Sequence, residues 1–190
     1  MPNSALLWGK EHAEDLGGYK NRILVGGSSA GGRLTAVLCL LARDKGEVHI
    51  AFQFPIYPML DDRDVTPSAK DNDAPMWDAD SNTAAWKLYL GKLYGSADVP
   101  PTAAPARLKD FSGLPPAYSY VGTVEPFYDE TRLYFEALRN AGVEAELDVY
   151  EGGFHGFDTF AAKKPLGREA REKLYAAFRR ASAYYMAENR

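Results

Sequence analysis

Val25-Gly26-Gly27-Ser28-Ser29-Ala30-Gly31-Gly32 is the stretch on which the reading of this chain turns. It contains Gly27-x-Ser29-x-Gly31, set between two segments of different period. Before it, Arg22 to Gly26 reads as a short buried strand centred on Ile23-Leu24-Val25. After it, Ala30 to Asp44 reads as a helix, with Leu34, Val37, Leu38 and Leu41 on one face. A serine on so sharp a strand-to-helix turn has a strained backbone and a hydroxyl thrown out into solvent. The residues two before and two after it approach each other, and glycine at 27 and 31 lets the backbones pass. The following helix aims its N–H groups and positive dipole end at the serine. The Ala30 N–H is then placed to donate to a tetrahedral oxyanion. A glycine-rich turn that merely closes a strand onto a helix is the plainer alternative. A phosphate loop is another, but Gly27-x-x-x-x-Gly32 is followed by Arg33-Leu34 and no G-x-G-x-x-G is present.

Outward from this turn, helical and extended periods alternate. Residues 4–16 suit a helix, with Ala5, Trp8, His12 and Leu16 at helical spacing. His49 to Phe54 is a second strand, stopped by Pro55 and Pro58. Asn82 can cap a helix running to about Tyr94. Ala117 to Val121 is a third strand, and Tyr128 to Ala141 a helix ended by Gly142. Glu144 to Tyr150 is a fourth strand, and Arg168 to Ala187 a terminal helix. Strands separated by helices need crossover connections, so the expected fold is α/β, a mostly parallel sheet flanked by helices. The chain reads as one domain over 1–190, with about 61–105 an insertion over the active-site end.

Composition limits the partners. The 190 residues carry a net charge of −4, and the basic residues form no stripe. Neither a nucleic acid nor an anionic membrane is attracted by such a surface. No apolar run approaches the ~20 residues of a membrane span. Cys39 is the single cysteine and lies in the apolar run Leu38-Cys39-Leu40-Leu41, as a buried helix residue would. Met1-Pro2-Asn3-Ser4 does not open a signal peptide, and a cytoplasmic protein is the expectation. No cluster of His, Cys and Asp has metal-ligand spacing, so neither metal nor cofactor is expected.

A serine nucleophile needs a base. Of the three histidines, His12 falls in the first helix and His49 opens a strand. His155 lies in Glu151-Gly152-Gly153-Phe154-His155-Gly156-Phe157, just after the fourth strand. Loops at the carboxyl ends of parallel strands line one edge of the sheet, so His155 and Ser29 can face each other. The histidine in turn needs a carboxylate. Glu125 follows the third strand directly and is held by Pro126. Asp129, in the first turn of the next helix, is the alternative acid, since the helix dipole alone accounts for it. Trp77, Trp86, Tyr89 and Phe157 are candidates to line an acyl or alcohol pocket, with core packing the competing role for each.

Several segments together resemble the hormone-sensitive-lipase-like bacterial carboxylesterases and lipases of the α/β-hydrolase superfamily. They are Gly27-Ser28-Ser29-Ala30-Gly31-Gly32, Tyr57-Pro58-Met59-Leu60-Asp61-Asp62-Arg63, Leu114-Pro115-Pro116-Ala117, Glu125-Pro126-Phe127-Tyr128-Asp129-Glu130 and Phe154-His155-Gly156-Phe157. The resemblance runs over essentially the whole chain. It implies a catalytic triad of Ser29, Glu125 and His155, with Glu125 where many relatives have Asp, and a small-molecule ester as substrate. Members of the family also carry an upstream His-Gly-Gly-Gly-type loop that completes the oxyanion hole, and this sequence has no such motif. The implied fold is therefore a partial α/β-hydrolase, N-terminally incomplete, with the edge at Ile23-Leu24-Val25 left open. An open apolar edge invites another strand, so a homo-oligomer or a complementing N-terminal polypeptide is expected. Loss of one oxyanion donor costs on the order of 3 kcal/mol in the transition state. A catalytically impaired remnant, kept as an assembly or structural module, is the alternative function. A peptidase or acyl transferase would use the same acyl chemistry.

Overall fold

The computed structural model describes residues 2–185. Its elements run α1 (Pro2–Glu11), β1 (Ile23–Ser28), α2 (Ala30–Lys45), β2 (Ile50–Ile56), α3 (Ala79–Leu90), β3 (Ala117–Gly122), α4 (Tyr128–Asn140), β4 (Ala145–Tyr150), α5 (Phe157–Phe160) and α6 (Pro165–Tyr184). The four strands form one sheet in the order β1-β2-β3-β4, every pair parallel. Helices cover both faces of the sheet, which is the α/β arrangement expected from the sequence.

Strand alternation sorts the core into two layers. Val25 and Ala117 turn to one face, and Ile50 joins them because the β1–β2 register shifts there, Ile23 pairing with Ile50 and Leu24 with Phe52. On that face they meet Leu6 of α1, Ala36 and Cys39 of α2, and Phe135 and Leu138 of α4. Phe52, Phe54, Tyr118 and Tyr120 turn to the other, against Phe157 of α5 and Ala170, Ala177 and Ala181 of α6. A third cluster joins Trp86 and Leu90 of α3 to Met59, Val99, Ala104 and Phe127. Met59 and Phe127 follow β2 and β3, so this cluster rests on the carboxyl-terminal end of the sheet.

Several expectations from the sequence are corrected. β2 is not stopped at Pro55; it continues to Ile56. Gln53 and Tyr57 donate their N–H groups to Pro116 and Tyr120 of the neighbouring chain segment, at 2.9 and 3.2 Å. Pro55, midway between them, has no N–H to give. The Ser119 hydroxyl instead donates to the Pro55 carbonyl at 2.6 Å, so the strand survives a proline in a central position. Asn82 does not cap α3. Asp78 does, accepting from the Ser81 N–H at 2.7 Å, while Asn82 is buried and donates to Asp64. On α2 the buried face is Ala36, Val37, Cys39 and Leu40, with Leu34, Leu38 and Leu41 half-buried. Small side chains on the inner face let this helix lie close to the sheet. α1 ends at Glu11, and Trp8 and Leu16 are exposed. The terminal helix begins at Pro165, and the expected end at Ala187 lies outside the described residues.

β1 and β4 are the two edges of the sheet, and Gly26 and Ser28 of β1 are exposed. Beside β1 lies an open cavity of about 590 Å³, lined by Leu24, Phe54, Tyr57, Leu174, Tyr175 and Phe178 among others.

Candidate active site

Ser29 stands between β1 and α2 with φ +58° and ψ −121°. A side chain in that region costs on the order of 1–3 kcal/mol and persists only where its surroundings hold it. Three backbone bonds do so. The Ser29 N–H donates to Ile56 O at 2.9 Å, and its carbonyl accepts from Arg33 N–H at 3.1 Å and Met59 N–H at 3.3 Å. The glycines share the work unequally. A Cβ on Gly27 would stand 2.7 Å from the carbonyl carbon and oxygen of Gly31, whereas a Cβ on Gly31 would meet nothing within 4 Å. A Cβ on Gly32 would strike Pro58 at 2.9 Å. The close approach thus requires glycine at 27 and 32, and the expectation for 31 is corrected. Ala30 opens α2, so its N–H is one of those left without an acceptor inside the helix.

Glu125 and His155 come from two loops that interlock. The Val124 N–H donates to Gly153 O at 3.1 Å, and the Thr123 N–H to Tyr150 O at 3.0 Å. The loops press so closely that a Cβ on Gly122 would lie 2.0 Å from the Gly153 carbonyl oxygen. Glu125 is fully buried, and its Oε1 accepts from the Gly122 N–H at 3.2 Å. Its Oε2 lies 2.5 Å from His155 Nδ1, and His155 Nε2 lies 3.0 Å from Ser29 Oγ. Burial holds the Glu125 carboxyl above its usual range, and the His155 contact pulls the other way. Aromatic rings enclose the imidazole: Tyr57 at 4.9 Å, Phe127 at 5.0 Å and Trp77 at 6.2 Å between centroids.

The other candidates lie elsewhere. Asp129 accepts from the Ser68 N–H at 2.9 Å, returns its own N–H to Ser68 Oγ at 3.0 Å and meets Arg132. His12 bonds the Trp8 carbonyl, and His49 is exposed. Of the four aromatics proposed for a pocket, Trp77 packs on His155. Trp86 and Phe157 are core residues, and the Tyr89 ring lies 3.9 Å from the Arg33 guanidinium. Tyr57, quoted above only as part of a resembling segment, and Asp158 also stand at the site, with no role expected for either from the sequence. The Tyr57-Pro58 pair and a carboxylate three residues beyond His155 were their only signals.

Residues 3–159 match the family described as alpha/beta hydrolase fold. The chain belongs to the α/β-hydrolase family. This α/β-hydrolase is 40% identical over 183 residues to carboxylesterase NlhH of Mycobacterium tuberculosis, covering 94% of this chain and 56% of that protein. It is 34% identical over 177 residues to esterase LipI of the same organism, covering 93% and 55%. Among solved structures, a bacterial heroin esterase superposes with a TM-score of 0.91 at 41% identity, over 94% of this chain and 57% of that one. An esterase of Pyrobaculum calidifontis superposes at 0.81 and 32%, over 98% and 60%. The resemblance to the hormone-sensitive-lipase-like branch holds, and the chain spans about half the length of these curated relatives. Among the described residues no helix is long and apolar enough to cross a membrane.

Proposed function

We propose that this α/β-hydrolase cleaves carboxylic esters through an acyl-Ser29 intermediate. The observation that carries the proposal is the unbroken line of contacts from Ser29 Oγ through both ring nitrogens of His155 to Glu125. Ser29 Oγ attacks the acyl carbon as its proton passes to His155 Nε2. Glu125 orients the ring and stabilises the imidazolium, as in other triads. The Ala30 N–H, with the helix dipole behind it, donates to the oxyanion. Collapse expels the alcohol oxygen, which takes the proton from Nε2. Water then attacks the acyl-serine by the same route, releases the acid and restores Ser29. The names of the relatives, carboxylesterase and esterase, support an ester as substrate.

The test is labelling by a fluorophosphonate together with hydrolysis of short p-nitrophenyl esters. Uptake of label that vanishes in Ser29→Ala, with parallel loss of turnover, is the expected result. Equal behaviour of wild type and Ser29→Ala would overturn the reading and leave the assembly module. One observation favours an assembly role in its own right. The edge strand β1 borders an apolar cavity, so we expect a further strand, from a second copy or another polypeptide, to pair there. A stable monomer by solution mass measurement would contradict that expectation.

A further inference from the structure

Beneath His155 lies a second carboxylate that the triad does not use. Asp158 is buried on α5, three residues beyond the histidine. The Tyr57 hydroxyl donates to its Oδ1 at 2.9 Å, and burial together with the Asp158 carboxylate also pushes the nearby Tyr120 hydroxyl up. Burial and the Asp158 charge keep the Tyr57 hydroxyl protonated, hence a donor. The same Tyr57 presents its ring to the His155 imidazole, at 4.9 Å and 74° between planes. Tyr57 also has φ +32°, a conformation that a bulky L residue adopts only under constraint. Its N–H is tied to Tyr120 O at 3.2 Å, and the Tyr120 ring packs on Phe157 at the start of α5. A strained tyrosine after β2 is thus clamped between the sheet and the helix that follows His155.

We infer that Tyr57 and Asp158 form a positioning pair that holds the His155 imidazole in line between Ser29 and Glu125. Neither touches the reacting atoms. The pair adds a tie from the α5 side to the interlocked loops and to the Phe127 and Trp77 contacts, because it joins the ring that packs on the imidazole to the helix that follows His155. A buried, hydrogen-bonded carboxylate suits this better than an apolar contact, because its acceptor directions specify where the Tyr57 ring must lie. The inference rests on the serine-hydrolase reading for its kinetic consequences, but the position of the ring is observable without turnover.

The experiment uses Tyr57→Phe, which removes one oxygen and keeps the ring, and Asp158→Asn and Asp158→Ala, which keep and remove an acceptor for Tyr57. Steady-state kinetics on p-nitrophenyl acetate are read beside the far-downfield proton resonance of the His155–Glu125 hydrogen bond. Tyr57→Phe and Asp158→Ala are expected to lower kcat by roughly tenfold with KM nearly unchanged, as small misplacements of a catalytic group do. The downfield resonance should shift or broaden in both, and Asp158→Asn should recover part of each effect. Unchanged kcat and an unchanged resonance in Tyr57→Phe would overturn the inference. So would variants that lose only thermal stability while the resonance of the folded protein stays in place. If wild-type protein takes up no fluorophosphonate, the hydrolase reading fails while the resonance still decides the positioning role.

Discussion

Gly27 and Gly31 face each other across the turn that carries Ser29, yet only one of them must be glycine. The Cβ position of Gly27 is filled by the Gly31 backbone, and that of Gly31 is open. Gly27→Ala is therefore expected to push β1 and α2 apart and to slow fluorophosphonate labelling by at least about 10²-fold. Gly31→Ala, inside the first turn of α2, should keep the labelling rate and raise stability by up to about 1 kcal/mol. Labelling kinetics and urea denaturation of the two variants check this, and the opposite order would refute the account of the turn.

Glu125 and Asp129 were both candidates for the acid. Glu125→Gln should lower kcat/KM by about 10³–10⁴-fold, the range seen when a triad carboxylate loses its charge. Asp129→Asn should stay within a few-fold, since Asp129 is occupied by Ser68 and Arg132. Comparable losses in the two variants would reopen the assignment.

Asp62 and Arg107 form a two-point pair. Arg107 Nε donates to Oδ1 at 2.6 Å and Nη2 to Oδ2 at 2.8 Å, and the Asp62 side chain is almost wholly buried. Arg107 also donates to the carbonyls of Ser96 and Ala97, tying the loop after α3 to the segment around Asp62 that follows β2. Arg107→Ala strands a buried charge and should cost about 3 kcal/mol. Adding Asp62→Asn should return part of that loss, because the stranded charge is gone. Chemical denaturation of the single and double variants measures both effects.

Glu130 is a fully buried carboxylate that accepts the N–H groups of Leu60 and Asp61 at 2.8 and 3.0 Å. Burial lifts it well above the usual carboxylate range. The two N–H bonds oppose the lift, and Asp61 and Asp64 add to it. The folded protein therefore holds this proton more tightly than the unfolded chain does. Its contribution is complete below the unfolded value and is lost as pH rises through the folded one. Glu130→Gln should gain on wild type as pH increases from ~4 to ~8, the window above an ordinary glutamate. Denaturation midpoints that run parallel across that range would contradict it.

Much of the fold was legible because its signals are local. The period change at Ser29, the glycine after α4 and the apolar runs of four strands each depend on a few neighbouring residues. Element faces and ends were less legible. Leu34, Leu38 and Leu41 looked like the inner face of α2, but the sheet takes the side with Ala36 and Cys39, where a helix can come closer. Pro55 looked like a stop, and only the Ser119 hydroxyl on the next strand explains why it is not one. Asn82 looked like a cap, until Asp64 offered it a buried partner.

The order of strands and helices, the sharp turn at Ser29 and the candidacy of Ser29, His155 and Glu125 were written in the chain, since each follows from residue type and short-range spacing. The tertiary structure decided which glycine is sterically required, which carboxylate reaches the imidazole, and that Tyr57 and Asp158 stand behind it. The first depends on the exact path of the turn, and the other two on groups 30 to 126 residues apart in the chain meeting within hydrogen-bond distance. Such distances are set by the register of the parallel strands and the packing of helices on them, to which no local pattern gives access.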